Sequence, residues 1–201
     1  IQGEGGVIPA DPAYLQAVQQ LCKERGLLLI IDEVQTGFCR TGKWFGFEHA
    51  GISPDAVTMA KGMGNGMPVG ALWARRDIAS VLQPGDHGST YSGTALATAA
   101  VSAVISEMKR LHADELAVRQ GARLTKGLLA IPKVESVRGA GLLLGAQLVD
   151  GLVAGDVYKA LLEKGLIVNA VNASTLRLAP PLTVSDAEID EAVALIEEVL
   201  S

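Results

Sequence analysis

A capped helix followed at once by a short apolar run sets the fold class of this 201-residue chain. Asp11 and Pro12 are typical of a helix start, and Gly26 is typical of a helix end. The five apolar residues that follow, 27–31, predict a strand that is buried on both faces of a parallel sheet. Such a strand needs helices on both sides of its sheet, so the opening of the chain indicates an α/β fold.

The rest of the first half continues this alternation of strands and helices. Its predicted elements are a strand at 55–60, a tight turn through Gly62, Gly64, Gly66 and Pro68, a strand at 69–74 and a helix rich in small residues at 94–111. Parallel sheets with flanking helices are built from such units. We therefore predict that residues 1–111 form a mostly parallel α/β unit that ends in a long helix.

A change of pattern near His112 predicts a second, smaller α+β domain at the C-terminus, over residues 112–201. Its predicted elements are a helix at 116–131, an antiparallel pair of strands at 134–137 and 141–148, a helix at 156–164, strands at 166–171 and 175–178, and a helix at 185–200. The last helix begins with Ser185 and has Glu188 three residues later, which fits a capping box.

Composition and charge exclude several classes of protein. Hydrophobic residues make up 49% and charged residues 19% of the chain, which favours a packed core over disorder. The net charge of −5 and the lack of any basic run argue against a surface for nucleic acid or for anionic membranes. The apolar runs are too short to span a bilayer. Cys22 and Cys39 lack metal or disulfide spacing, so we predict reduced thiols in a cytoplasmic protein.

Two charged residues follow predicted strands directly, Asp32 after the first strand and Lys61 after the second. The carboxyl ends of parallel strands meet at one edge of a sheet, where α/β proteins place their sites. A buried acid and a lysine there have two interpretations. One is a structural ion pair. The other is a carbonyl cofactor bound by Lys61 as a Schiff base, with the Asp32 carboxylate holding the cofactor's ring nitrogen in its protonated form.

A longer motif surrounds these two residues and favours the second interpretation. Residues 30–42 (IIDEVQTGFCRTG), Pro54-Asp55 and Ala60-Lys61-Gly62 stand in this order, with 29 positions from Asp32 to Lys61. The motif closely resembles the signature of class III aminotransferases, enzymes of fold type I that depend on pyridoxal 5′-phosphate. Further segments that are similar to this family are residues 1–9, 67–71, 87–97, 138–139 and 176–182. The resemblance implies this cofactor and a Schiff base on Lys61 as the catalytic residue. It also implies that residues 1–111 are the C-terminal part of the cofactor-binding large domain, which ends in a long interdomain helix.

The resemblance also implies cofactor-binding roles for four other residues. Asp32 corresponds to the acid at the ring nitrogen, Val34 to the apolar residue on one face of the ring, and Gln35 to the residue that contacts the 3′-oxygen. Thr90 resembles the hydroxyl that binds the cofactor phosphate in the neighbouring subunit's site, which implies a homodimer with shared sites. A core valine, a loop glutamine and a turn-forming threonine are the alternatives.

Three residues resemble family positions that contact the substrate. Ser89 stands where a hydroxyl lies near substrate in the neighbouring subunit. Arg177 resembles the arginine that holds a substrate carboxylate, a role that suits the planar guanidinium. Glu4 resembles the acid that pairs with this arginine. A turn serine, a structural arginine and a loop acid are the alternatives.

Several other residues receive no ligand role. The three histidines, His49, His87 and His112, lack metal-ligand spacing. We interpret Arg138 as structural and Cys39 as a packing substitution. The family's phosphate cup and its ring-stacking aromatic residue have no counterpart in this chain. Because the chain also begins at Ile1, inside a segment that resembles an active-site loop, we interpret it as a fragment or a processed product.

Within the family, residues 1–7 and 170–181 favour N-acetylornithine as the amino donor and 2-oxoglutarate as the acceptor. The expected products are N-acetylglutamate semialdehyde and glutamate, in arginine biosynthesis. Another ω-aminotransferase, acting on ornithine, succinylornithine, 4-aminobutyrate or a diamine, is the first alternative. An inactive truncated scaffold or pairing module that binds no cofactor is the second.

Overall fold

The computed structural model describes residues 1–86 and 88–201, which form two compact units. The N-terminal unit contains residues 11–38 and 43–112, and the C-terminal unit contains residues 1–10, 39–42 and 113–201. The change from one unit to the other after His112 lies next to the predicted boundary. Two short segments from the first half nevertheless pack with the second. The division at 111/112 stays a prediction for the domains of the complete protein.

A three-stranded sheet organises the N-terminal unit. Its elements are α1 (Pro12–Arg25), β1 (Ile30–Asp32), β2 (Ala56–Met59), β3 (Ala71–Ala74), α2 (Arg76–Ala79) and α3 (Ala95–Leu111), with short 3₁₀ helices at Gly46–Ala50 and Lys61–Met63. The strand order is β1-β2-β3; β1 is parallel to β2, and β3 is antiparallel to it. The order places β2 in the centre, where it positions the residues that follow it.

Helix α1 has the predicted bounds, because both of its ends are encoded locally. The Asp11 carboxylate accepts a 2.7 Å hydrogen bond from the Ala13 amide, which caps the first turn. Gly26 ends the helix with a φ of 63°, in the left-handed region that favours glycine. The helix packs on residues around Leu29 and Ile52 in a small core.

The predicted strand at 27–31, buried on both faces, is wrong. The observed strand starts at Ile30, and the side chains of Leu27, Leu28 and Ile30 are 56%, 55% and 58% exposed. Only Leu29 and Ile31 contact the core beneath α1. The reason is position, because β1 is an edge strand with a helix on one face, and periodicity alone does not distinguish an edge strand from a central one.

The C-terminal unit places three helices on an antiparallel sheet. Its elements are α4 (Ala113–Leu129), β4 (Val134–Ala140), β5 (Leu143–Leu148), α5 (Ala154–Glu163), β6 (Asn169–Ala170), β7 (Thr175–Leu178) and α6 (Asp186–Leu200). The strand order is β4-β5-β7-β6. Buried leucines and isoleucines from the helices and strands form one core, which includes Leu124, Leu128, Leu148, Leu161, Leu176, Ile189 and Ile196. The predicted small α+β fold is confirmed for this unit.

Two details of this unit show that helix ends are set by local residues, whereas strand lengths are set by the tertiary fold. The capping box of α6 is confirmed, since the Ser185 hydroxyl accepts from the Glu188 amide while the Glu188 carboxylate accepts from the Ser185 amide. The predicted strand at 166–171 is wrong in length, because only Asn169 and Ala170 pair with β7.

Among the described residues, each helix is too short or too polar to cross a lipid bilayer.

Candidate active site

Asp32 and Lys61 lie at the same edge of the N-terminal sheet. Asp32 ends β1, where its backbone is in register with Thr58 of the parallel strand β2. Lys61 follows β2 after one intervening residue and begins a short 3₁₀ helix. The backbone of Lys61 has a φ of 43°, a left-handed conformation that a residue with a Cβ adopts only at a cost. The carboxyl ends of the two parallel strands thus bring the acid and the lysine to one region.

The structural ion pair is the interpretation that the geometry disfavours. Within residues 1–86 and 88–201, no salt bridge joins Asp32 to Lys61. The Asp32 carboxylate accepts instead from the Val34 amide, at 2.9 Å from its Oδ1 atom. Both side chains are exposed in this chain, where β1 is the outer strand of the three-stranded sheet, so the expected burial of the acid is not seen among the described residues. The amine and the second carboxylate oxygen therefore remain available to a ligand.

Glu33 is a buried organising residue that the sequence reasoning missed. Its side chain is 1% exposed, and its carboxylate accepts hydrogen bonds from the Thr36 hydroxyl, the Gly46 amide (2.9 Å) and the Phe47 amide (2.8 Å). A carboxylate with three donors is well compensated for burial. These bonds fix the loop after β1, which carries Val34 and Gln35. The acidic pair at 32–33 was visible in the sequence, but the approach of 46–47 was not.

Aromatic packing connects this loop to the turn that carries Lys61. Phe38 is 5% exposed and meets Phe45 edge-to-face, with 5.8 Å between the ring centroids. A Cβ built on Gly62 would lie 3.6 Å from the Phe38 Cβ, so the two segments are in contact there. A Cβ on Gly64 would lie 2.3 Å from the Met67 carbonyl oxygen, so only glycine fits at this position of the turn. The packing leaves little freedom for the residues on either side of Lys61.

The polar groups at this edge fit pyridoxal 5′-phosphate. The Thr58 hydroxyl oxygen is buried without a hydrogen-bond partner, and its register with Asp32 places both side chains on one face of the sheet. An unbonded hydroxyl, a carboxylate oxygen and a lysine amine suit a ring that has one nitrogen and one carbonyl group. Val34 and Gln35 are half-buried in the neighbouring loop. The cofactor roles of all these residues remain predictions.

Ser89 and Thr90 also belong to the N-terminal unit. Both side chains are exposed in a turn that precedes α3, where the Ser92 amide donates to the Ser89 carbonyl at 3.4 Å. An exposed pair of hydroxyls is available to a ligand or a partner subunit. His87 lies outside the described residues.

Arg177 and Glu4 form an ion pair in the C-terminal unit, with 2.5 Å between Arg177 Nη1 and Glu4 Oε1. The two side chains differ greatly in exposure, since that of Arg177 is 13% exposed and that of Glu4 is 79% exposed. A largely buried guanidinium is therefore paired with a carboxylate whose side chain is mostly exposed. Such a pair can open to admit another carboxylate, because the arginine keeps nitrogens that can donate.

Gly145 makes room for the loop that carries Glu4. In the sheet it pairs with Arg138 on one side and Arg177 on the other, so a glycine separates two arginines on one face. A Cβ at Gly145 would lie 3.0 Å from the Val7 Cβ and 3.1 Å from the Gly6 carbonyl oxygen. The loop at residues 1–8 thus packs where a side chain would otherwise stand, which brings Glu4 to Arg177.

Arg40 anchors the end of β7, a role that its place in the sequence motif did not reveal. Its Nη1 atom donates to the Leu142 carbonyl at 3.1 Å and to the Pro180 carbonyl at 2.5 Å. Burial lowers the pKa of this guanidinium from its ordinary value. Because Pro180 lies three positions after Arg177, this contact fixes the chain next to the candidate carboxylate site.

The part of the chain that the structure describes holds no cluster of three His, Cys, Asp or Glu residues that could bind a metal ion. Cys22 and Cys39 form no disulfide there.

The chain is similar in sequence to known proteins over its whole length. The family model described as aminotransferase class-III matches residues 1–200. The acetylornithine aminotransferase of Caldanaerobacter subterraneus subsp. tengcongensis is 46% identical over 205 residues, which cover 100% of this chain and 52% of that protein. The chain spans about half the length of the curated relatives that it matches.

Solved structures give the same result for the fold. The crystal structure of acetylornithine aminotransferase from Elizabethkingia anophelis matches with a TM-score of 0.91 and 34% identity, over 99% of this chain and 52% of that one. A Toxoplasma gondii ornithine aminotransferase structure, described as having partial occupancy of PLP at its active site, matches with a TM-score of 0.91 and 34% identity. That match covers 99% of this chain and 49% of the other. The α/β fold predicted from the sequence is confirmed.

Proposed function

The chain belongs to the class III aminotransferase family, and we propose that it supplies part of the active site of an enzyme that transfers an amino group from N-acetylornithine to 2-oxoglutarate. The products would be N-acetylglutamate semialdehyde and glutamate, and the cofactor pyridoxal 5′-phosphate. The observation that carries the proposal is the placement of Asp32 and Lys61 at one sheet edge without a salt bridge between them. The 46% identity to an acetylornithine aminotransferase supports the choice of donor.

Each residue at the sheet edge has a distinct chemical task in this proposal. When bound, pyridoxal 5′-phosphate supplies an electron-withdrawing ring that takes up the charge left on the substrate carbon. Lys61 Nζ would hold the cofactor, and its amine would carry the proton of the substrate carbon. The free oxygen of Asp32 keeps the ring nitrogen protonated. Val34 covers a face of the ring, and Gln35 donates to its 3′-oxygen.

The pair of Glu4 and Arg177 adapts the site to two substrates of different shape. The donor presents a terminal amine, with its α-carboxylate far from the reacting carbon, whereas 2-oxoglutarate carries a carboxylate next to that carbon. Glu4 neutralises Arg177 for the donor and moves aside for the acceptor, whose carboxylate then takes the guanidinium. The high exposure of Glu4 and the low exposure of Arg177 support this gate.

Glu4→Ala should improve the use of glutamate relative to N-acetylornithine, because Arg177 is then permanently free for a carboxylate beside the reacting carbon. The expected change in discrimination is on the order of 1–3 kcal/mol, which is about 5-fold to 150-fold in the ratio of rates. Stopped-flow half-reactions of the full-length form with each donor measure it. Glu135→Ala, which removes an exposed acid of the same unit, is the control. Equal losses for both donors would reduce Glu4 to an ordinary loop acid.

Ser89 and Thr90 support a homodimer in which each subunit completes the other's site. Their hydroxyls are exposed before α3, and in this proposal Thr90 binds the cofactor phosphate of the partner while Ser89 lies near the partner's substrate. The enzyme would work in the cytoplasm, where the thiols of Cys22 and Cys39 stay reduced.

The 201-residue chain by itself should have no measurable aminotransferase activity. The resemblance places the phosphate cup and the stacking aromatic residue outside it, so cofactor affinity should fall, and two copies of this chain cannot restore either feature. Activity assays and visible absorbance of the cofactor, with the mass of the chain confirmed, test this expectation. Turnover of N-acetylornithine by such material would show that the chain holds a complete site.

Ornithine is the second candidate donor, since ornithine aminotransferase structures match this chain as well as that of an acetylornithine aminotransferase does. The ratio of kcat/KM for the two donors in the full-length form separates these functions. An inactive scaffold is separated from both by cofactor absorbance. Absence of a lysine-bound cofactor in the full-length form would support the scaffold and remove the enzyme proposal.

A further inference from the structure

The loop that carries Glu4 is closed at its base. The Gln2 amide donates to the Ile8 carbonyl at 2.9 Å, and the Ile8 amide donates to the Gln2 carbonyl at 3.1 Å. Between them, Val7 is fully buried and adopts a φ of 56°. A buried residue in a strained conformation persists only where its surroundings hold it. The backbone of the segment 2–8, called the gate loop below, is therefore fixed at both ends.

Arg138, a residue of β4, links the gate loop to the sheet by hydrogen bonds. Its Nε atom donates to the Gly6 carbonyl at 2.8 Å, which is a backbone group of the loop. Its Nη1 atom donates to Gln147 Oε1 at 3.1 Å and its Nη2 atom to Thr175 Oγ1 at 2.8 Å. The Thr175 hydroxyl in turn donates to Gln147 Oε1 at 3.0 Å. One guanidinium thus joins the loop to β5 and β7.

These bonds leave Arg138 poorly placed to bind a substrate. All three nitrogens of the guanidinium donate to protein acceptors, and Thr175 is fully buried. A carboxylate ligand would have to displace acceptors that would then be buried without donors. Arg177 differs, since within residues 1–86 and 88–201 its hydrogen-bond partner is the exposed Glu4. The two arginines flank Gly145 in the sheet, yet one is fully engaged and the other can exchange its partner.

The contacts around Gly6 show how closely the Arg138 and Asn172 side chains approach the gate loop. A Cβ at Gly6 would lie 3.1 Å from Arg138 Nη2 and 2.8 Å from Asn172 Nδ2, and the residue has a φ of 110°. A side chain at this position would push Arg138 away from the loop. Arg138 holds the backbone of the gate loop from the sheet through its bond to the Gly6 carbonyl, while the Glu4 side chain remains 79% exposed.

We propose that Arg138 is a positioning residue that immobilises the gate loop, so that the choice between the two substrate classes depends on rotation of the Glu4 side chain alone. This inference rests on the proposed function, in which Glu4 covers and uncovers Arg177. Arg138 sets the backbone position from which Glu4 reaches Nη1 of Arg177. The loop itself does not open, because its closure, its buried Val7 and its bond to Arg138 all oppose movement.

Arg138→Met tests the immobilisation without any need for cofactor. Methionine keeps much of the length and apolar contact of the arginine stem but donates no hydrogen bond. Hydrogen–deuterium exchange of the cofactor-free full-length form should become at least tenfold faster at the amides of Gln2 and Ile8. Arg123→Met is the matched control, because it removes an arginine that pairs with Asp186 and Asp190 between α4 and α6. Unchanged exchange at the gate loop in Arg138→Met would overturn the proposal.

A double-variant cycle in the full-length form tests the link to Glu4. Arg138→Met should shift the ratio of the glutamate and N-acetylornithine half-reactions in the same direction as Glu4→Ala, by about threefold to tenfold, and should add little to Glu4→Ala. Additive shifts would overturn the positioning role. Glu4→Ala could leave the ratio of half-reactions unchanged while Arg138→Met speeds amide exchange in the gate loop. That result would refute the gate in the proposed function, and with it the effect of Arg138 on substrate choice. It would still support the role of Arg138 in immobilising the loop.

Discussion

Lys61→Ala should abolish amino transfer in the full-length form and remove the visible absorbance of the lysine-bound cofactor. The amine is the only group at this sheet edge that the described residues offer for covalent attachment. Alanine carries a Cβ as lysine does, so the backbone cost of a φ of 43° is the same in both proteins. Loss of activity would then report loss of the amine rather than a change in folding.

Lys43→Ala is the matched control, because it removes another exposed lysine of the same unit. It should keep both activity and absorbance. Borohydride reduction of the loaded enzyme, followed by peptide mapping, should place the pyridoxyl group on Lys61. A label on Lys43 or Lys126 would instead overturn the assignment.

Asp32→Asn should lower the rate by several orders of magnitude while the fold is retained. The amide oxygen of asparagine can still accept from the Val34 amide, so the loop after β1 keeps its 2.9 Å hydrogen bond. A neutral amide cannot hold a proton on the cofactor's ring nitrogen, and the substrate carbanion then loses its electron sink. Single-turnover rates and thermal unfolding, measured on the same preparation, separate the two effects.

Asp55→Asn provides the contrast, since Asp55 is a structural acid of the same sheet. It pairs with Arg75 at 2.8 Å and accepts from the Leu29 amide at 2.7 Å. Its replacement should lower the melting temperature with little change in the rate per folded molecule. If Asp32→Asn behaves in the same way and keeps near-normal turnover, Asp32 is only a structural acid.

The parts of the fold that were predictable from the sequence are those whose signals are local. Helix α1 begins at Asp11 and ends at Gly26 because the cap side chain and the left-handed glycine act within one turn. The capping box at Ser185 works in the same way. The strand at 27–31 was wrong because burial of an apolar run depends on its neighbours in the sheet, and these are set by the whole fold.

The candidate site shows the same limit. The positions of Asp32 and Lys61 after their strands followed from the sequence, because strand ends in a parallel pair share an edge. The role of Glu33 did not, since it depends on the amides of Gly46 and Phe47, which lie more than ten positions away. Arg40 likewise acts on Pro180, which is 140 positions away. Contacts between residues so far apart leave no periodic or compositional pattern in the sequence.

The left-handed backbone of Lys61 has a consequence for the history of this position. For a residue with a Cβ, that conformation is unfavourable by on the order of 1–2 kcal/mol of free energy, whereas for glycine it is almost neutral. Selection for folding alone would therefore drive residue 61 toward glycine or asparagine. Lysine persists there only while its amine is used. In descendants of this chain that have lost the reaction, residue 61 should be among the first to drift, and a glycine there would identify a catalytically silent copy from its sequence.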